Sequence, residues 1–348
     1  MKSEKMIIVG NIFRYVFWQL RRMKLLILIF FSLNASAQLF EEAELLAQLN
    51  FSATIPTDLI ATRSVVLYQN TFTKSEFVET QKFFQQTGID PVCYFDIAYV
   101  VGGHDTKRAF SRYFSGRGIK YLIFLQKVNN QYQFIFASYI GNKELVDKTS
   151  IAWKQSNTSL QELLRTIYRF AVSNLKRQNY LINDLPETDI AINYFSGRHN
   201  ETFSFEAKSF KTAVPKWGIE KDDAELEAFF KENYPLKYEL VDQNADENDL
   251  LMKGFRTILR VVHTRGSIAR EILGYDMTLQ ASSLPTTVYV NGEPQIKTIL
   301  AEQPVYKFYF KNIEYGNLFL GTHWDADITW QDALRNNILG FKADAKIN

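Results

Sequence analysis

Short apolar runs rich in branched and aromatic residues alternate with capped amphipathic stretches through most of the chain beyond residue 38. That alternation constrains the fold more than any other feature, because it calls for helices laid on mixed sheets. In the first half a leading helix is expected over 41–49 and a buried strand over 64–69. Phe77, Val78, Gln81 and Phe84 then follow helical spacing up to a Gly88 cap. A long β-rich run covers 90–101, and Gly102-Gly103 turns it into a helix starting near Asp105 with Ala109, Phe110, Tyr113 and Phe114 inward. Residues 120–127 read as a central strand, and Asn129-Asn130 as the hairpin turn into 132–139. Ser159 and Glu162 form a capping box for a helix reaching about residue 179.

The second half runs in the same order. Asp223 is expected to cap a helix over 224–233, ahead of a strand at 236–241. Asp246 caps a short helix before the strand at 256–263. A β-rich block with an Asn291-Gly292 turn follows, and Thr329 opens the last helix. Laid side by side, 121–124 corresponds to 257–260, and 133–137 to 317–320. The expectation is an α/β fold, with α+β as the alternative, in two consecutive mixed-sheet modules, and it leaves an internal duplication open. Module 1 is placed at 38–182, a polar linker with Pro186 and Gly197 at 183–200, and module 2 at 201–348. The repeated Tyr-Phe-Ser-Gly-Arg at 113–117 and 194–198 breaks this register and is read as coincidence. On the strand near 305–311, alternation puts Tyr306, Phe308 and Phe310 on the core face and Lys307, Tyr309 and Lys311 on the wet face.

Ahead of the modules lies a secretory signal. Arg21, Arg22 and Lys24 precede seven apolar residues, Leu25 through Phe31, and Ala35-Ser36-Ala37 supplies the small-x-small cleavage pattern. Residues 23–37 are therefore read as the signal peptide and 1–22 as a mis-called start, with Gln38 as the first mature residue. Arg14, Arg21, Arg22 and Lys24 interrupt the window that a membrane anchor would need. A lipoprotein would require a cysteine at the cut, and the only cysteine is Cys93. The apparent excess of base belongs to this segment: beyond residue 37 the chain carries 34 basic and 37 acidic side chains. Without a basic tract, nucleic acid is not an expected partner. One cysteine cannot form an internal disulfide, and the apolar run around Cys93 points to a buried thiol.

No motif specifies a reaction. There is no G-x-G-x-x-G, Walker lysine or G-x-S-x-G. The acidic loop at 242–248 mimics the start of a calcium loop but lacks glycine at the sixth position and has Lys253 where a bidentate glutamate is needed. Gly102-Gly103-His104-Asp105 could cradle an anion at a helix start, although a tight turn with an aspartate cap explains the same residues. His323, Asp325 and Asp327 alternate after a strand, which on extended backbone would aim all three to one side. Solvated loop acids ahead of the Thr329 cap are the preferred reading, because a metal normally takes three or four ligands that further groups hold in place. His263 and Arg265, at a strand end, are candidates for a carboxylate or phosphate. The binding candidates are therefore His323, Asp325, Asp327, His263 and Arg265, with no catalytic residue, metal or cofactor assigned. The expected role is an exported, non-catalytic α/β protein of the bacterial cell envelope, periplasmic or extracellular. It would bind an envelope protein or a small ligand and retain no membrane span after cleavage. The alternative is an exported hydrolase or metal-dependent enzyme centred on His323, Asp325 and Asp327. Export predicts a defined end: Edman sequencing of protein recovered outside the cytoplasm should begin at Gln38, and Met1 or Met23 would refute the cleavage assignment.

Overall fold

The computed structural model describes residues 36–347, except 143, 180–186, 188–189, 204 and 278–280; side chains are described from Glu42 onward. The signal segment up to residue 35 and most of 183–189 of the expected linker lie outside the described residues.

The first half is a doubly wound sheet. Its elements are α1 (Ser36–Ala47), β1 (Asn50–Ser52), β2 (Arg63–Tyr68), α2 (Lys74–Thr87), β3 (Asp90–Asp96), α3 (Ile97–Val100), α4 (His104–Gly116), β4 (Ile119–Val128), β5 (Gln131–Ser138), β6 (Ile151–Asn157) and α5 (Leu160–Asn174). The strand order is β1-β6-β5-β4-β2-β3. The expected long run from 90 ends early, because Asp96 caps α3 by accepting from the Ala98 amide. Thr73 and Glu76 form a reciprocal capping box at the start of α2, and Gly88 closes it in the left-handed conformation at φ 97°. Because alternate side chains point to opposite faces, the sheet carries two cores. Val66, Ile123, Phe134 and Phe136 pack on Phe84 of α2 and on Leu163 and Ile167 of α5. Val65, Leu122, Phe124 and Ile135 meet Phe110 and Phe114 of α4 on the other side.

The second half contains β7 (His199–Asn200), β8 (Thr212–Pro215), α6 (Glu220–Asn233), β9 (Tyr238–Val241), α7 (Glu247–Met252), β10 (Thr257–Arg265), α8 (Gly266–Ile272), β11 (Ser283–Val290), β12 (Glu293–Leu300), β13 (Pro304–Asn312), β14 (Leu318–Phe319) and α9 (Trp330–Ala345). Its sheet order is β7-β14-β13-β10-β8-β9. Strand for strand, this order and its pattern of parallel and antiparallel pairs repeat the first sheet. Residues 121–124 do correspond to 257–260. The other match is corrected: β5 corresponds to β13, and 317–320 falls on the short β14, the counterpart of β6. The inserted α8 and β11–β12 hairpin displaced that match. Asp223 is not the N-cap of α6 either, which starts after Ile219; its carboxylate instead accepts from the Trp217 and Gly218 amides. His199 and Asn200, assigned to the linker, pair with β14 as the edge strand β7.

The two halves differ in how their sheets are covered. α4 has 13 residues, whereas its counterpart α7 has six, too few to cover the second sheet. Ala98 of α3 and Phe195 join α8 in the core on that face, alongside Val262, Val305 and Tyr309. The expected wet face of β13 is therefore buried: Lys307, Tyr309 and Lys311 are 0%, 1% and 8% exposed. The seam is close at Gly103, which bridges Val262 and whose ideal Cβ would lie 2.7 Å from the Val261 carbonyl oxygen. Gly103→Ala should therefore cost about 1–3 kcal/mol in urea unfolding by forcing the halves apart. Gly116→Ala, whose Cβ meets nothing within 4 Å, should be neutral or stabilising. Equal effects at the two positions would contradict the tight seam.

Candidate functional site

In each sheet the chain leaves the first parallel strand to one side and returns to the other, giving the local order β3-β2-β4 and β9-β8-β10. Helices then depart in opposite directions, and a crevice opens at the carboxyl ends of the strands. In the first sheet the protein fills this crevice itself. The buried Glu42 carboxylate of α1 accepts from Gln69 Nε2 at 2.9 Å and Gln126 Nε2 at 2.7 Å. Burial raises its pKa, opposed by those two amides.

In the second sheet the crevice is only partly filled. β8 pairs with β10 through Thr257 and Ile258 alone, which frees the edge of β10 from Leu259 onward. Gly102 and Gly103 of the first half occupy part of that edge, with the His263 amide donating to Gly102 oxygen at 2.9 Å. Beside them lies a pocket of about 150 Å³. Lys216 and Trp217 enter it just after β8, Gln243 and Asn244 just after β9, and Leu259, Arg260, Val261 and Phe308 from the sheet. The first half contributes His104, Lys107 and Glu144. The Trp217 indole packs edge-on to Tyr306 and Phe308 and tilted to Trp330. Three buried ring or guanidinium nitrogens at this pocket have no hydrogen-bond partner within the protein: Trp217 Nε1, His104 Nδ1 and Arg260 Nε.

Directly behind the pocket is a network of buried charges. Lys311 Nζ donates to Asp105 Oδ1 at 2.6 Å and to Glu247 at 3.0 Å. Tyr309 donates to the other Asp105 oxygen at 2.8 Å, and Arg260 pairs with Glu247 at 2.7 Å. Burial pushes the Asp105 carboxyl up, but Lys311 and then Arg260 outweigh it and hold it at about 2. Burial and the Arg260 charge depress His104 to about 3, so its imidazole is neutral. His104, Asp105 and Glu247 are the one group among the described residues whose ligand atoms lie close enough to share a metal ion. The Lys311 ammonium already sits on both carboxylates, so a divalent ion would have to displace it.

The residues singled out from sequence are not brought together. His323 is exposed. Asp325 is buried against Lys307 Nζ at 2.6 Å and Asn337 Nδ2 at 3.2 Å, while Asp327 holds Lys297 at 2.7 Å. Burial raises the Asp325 pKa and lowers that of Lys307, each offset by the other's charge. His263 stacks on Tyr306 with centroids 3.8 Å apart. Arg265 spans the seam to Asp96 and also pairs with Glu302. None of the five lines the pocket. Cys93 is fully buried, and burial pushes its thiol up to about 12. Trp217 and Arg260 received no functional reading from the sequence, Lys311 was expected on a wet face, and Asp105 was read as a cap in the Gly102-Gly103-His104-Asp105 turn, of which Gly103 and His104 line the pocket. The available signal was a pair of lysines flanking Tyr309 inside an apolar strand.

Comparison with known protein families, curated proteins and solved structures finds no match to this chain.

The site has a defined acid response. His104 binds a proton more readily unfolded, near pH 6.5, than folded, near 3. The stability it contributes is therefore complete above about pH 6.5 and is lost as pH falls towards 3. Asp105 acts in the same direction at lower pH, its contribution being present above about pH 4 and lost as pH falls through about 2. Carboxyls raised by burial, Glu42 and Asp325 among them, act oppositely, so the informative quantity is a difference between variants. Relative to wild type, His104→Gln should flatten the loss of unfolding free energy below about pH 6 by up to about 1.4 kcal/mol per pH unit. Parallel pH profiles would contradict a neutral His104 held with its imidazole out of water.

Proposed function

We propose that this chain is an exported, non-catalytic binding protein of the bacterial cell envelope, and that the pocket at the crevice of the second sheet is its ligand site. The observation that carries the reading is the position of the pocket. It lies beyond the carboxyl ends of β8 and β9 beside the point where the strand order reverses, where open α/β sheets bind ligands. It also lies between the two halves, a common location for small-molecule sites. An apolar wall of Trp217, Phe308 and Leu226 faces a few polar groups, the usual division between affinity and orientation. The duplicated crevice in the first sheet supports the same reading by contrast, since Glu42 closes it.

A non-catalytic role is supported by how the charged groups are used. Asp105, Glu247, Asp325 and Asp327 are each engaged by a lysine, and the Cys93 thiol is buried. The alternative of a hydrolase or metal enzyme at His323, Asp325 and Asp327 has less support, because those carboxylates face Lys307 and Lys297 while His323 points to solvent. Export rests on the signal segment; among the described residues no helix is long and apolar enough to cross a membrane.

The test is a fragment screen by ¹H–¹⁵N NMR on the chain from Gln38 onward. Fragments that bind should move the Trp217 indole signal, identified by its absence in Trp217→Phe, and should raise Tm with concentration. Fragments that shift only signals remote from residues 103–107, 215–217 and 259–261 would reject the pocket as the site.

A further inference from the structure

We propose that β12 is the contact edge of a two-fold dimer, in which two copies of this chain pair antiparallel through residues 296–300, a contact independent of the pocket. Pairing would join the two-stranded sheets of both copies into one of four strands. The β11–β12 hairpin has no counterpart in the first half, so the repeated sheet plan does not require it. Asn291 and Gly292, at φ 53° and 85°, form its two-residue turn, and the register sets Thr287 opposite Ile296 and Tyr289 opposite Pro294. One side of the hairpin packs on the body through buried Leu284 and Ile299. On the other side Ile296 and Leu300 are 71% and 61% exposed, with exposed Thr298 between them.

The two edges of the hairpin differ. On β11 the Thr287 amide donates to Trp324 oxygen at 2.7 Å and the Tyr289 amide to Asn336 Oδ1 at 3.2 Å, so the chain uses this edge itself. Residues opposite each other in an antiparallel pair either bond to one another or both point their backbone groups away. Since Thr287 and Tyr289 point away, so do Ile296 and Pro294, and by alternation Thr298 and Leu300. Among the described residues no strand pairs with this outer edge of β12. The Leu300 carbonyl accepts from the Gln303 amide at 3.0 Å, while the amides of Ile296, Thr298 and Leu300 face outward without an acceptor among the described residues.

The occupant follows from the sequence of the edge, which is complementary to itself. A two-fold axis at Thr298 sets Ile296 opposite the partner's Leu300 twice over and Thr298 opposite the partner's Thr298. Apolar and threonine pairs of this kind stabilise antiparallel strands. Lys297 then faces the partner's Ile299, and Asp327 of its own chain already neutralises it at 2.7 Å. Moving the axis one residue, to Lys297, would put lysine opposite lysine and Leu300 opposite the partner's Pro294, which has no amide to donate. Pro294 therefore ends the pairable stretch and guards the rest of the edge. What remains is one short self-complementary segment, the form an isologous contact takes.

The experiment follows the chain from Gln38 onward by sedimentation equilibrium from about 1 µM to about 1 mM, with amide exchange read in parallel. Expected is a reversible monomer–dimer equilibrium, with the Ile296, Thr298 and Leu300 amides becoming protected as the dimer fills. Thr298→Lys brings like charges to the axis and should weaken association by about tenfold or more. Ile296→Lys and Leu300→Glu should each weaken it alone, and mixing the two variants should restore a dimer, because the lysine of one then meets the glutamate of the other. All three sites are exposed, so the monomers should stay folded, which far-UV circular dichroism checks. A chain that remains monomeric throughout, or a dimer indifferent to these substitutions, would overturn the proposal. A mixture that fails to re-form the dimer would overturn the pairing at Thr298. A monomeric chain whose Ile296 and Thr298 amides are protected by an added peptide copying 293–303 would assign the edge to an extended segment of another protein and overturn the second copy.

Discussion

The contact of Lys311 with Asp105 joins the two halves of this molecule more strictly than any apolar contact. Asp105 comes from the start of α4 in the first half, and Lys311 from β13, a middle strand of the second sheet. Neither charge would remain buried alone, because a single desolvated charge costs several kcal/mol. A buried pair need not add net stability compared with an apolar one. It does make association of the halves selective, since Lys311 keeps Glu247 within its own half but any other docking would strand the Asp105 carboxylate. Tyr309 adds a second bond to Asp105 across the seam, while Lys311 and Arg260 share Glu247 within the second half beside the pocket.

The repeated strand order explains why such a seam is needed. Two copies of one sheet plan would each bury both faces if each had a full set of helices. The second copy has six-residue α7 where the first has 13-residue α4, and the missing cover comes from α3, α4 and the 195 region of the first half. The two crevices diverge in the same way. The first is closed by Glu42, whereas the second receives Gly102 and Gly103 along one edge and keeps a cavity beside them.

How much was legible follows from range. Caps and turns are local, so Ser159, Asp246 and Thr329 could be read directly, as could the alternation that specifies an α/β fold. The face of β13 could not, because alternation tells which residues share a face but not what covers it. Lys307 and Lys311 look like solvent residues until a distant segment is packed over them. The triad of His323, Asp325 and Asp327 failed for a related reason: the backbone there curls against β13 and delivers Asp325 to Lys307 and Asp327 to Lys297. Trp217 and Arg260, separated by more than 40 residues, had no sequence signal to link them.

The two halves form one closed unit, and native-state hydrogen exchange at the seam tests that closure most directly. The His263 amide donates across the seam to Gly102 oxygen, on a strand edge that β8 does not cover. If the halves are locked, this amide should exchange only through unfolding on the scale of the β10 core, with protection close to that of Arg260, which pairs with Tyr309 of β13 inside the second sheet. Exchange at His263 many orders of magnitude faster than at Arg260 would show the halves separating in the native state, and would contradict both the seam and the pocket it forms.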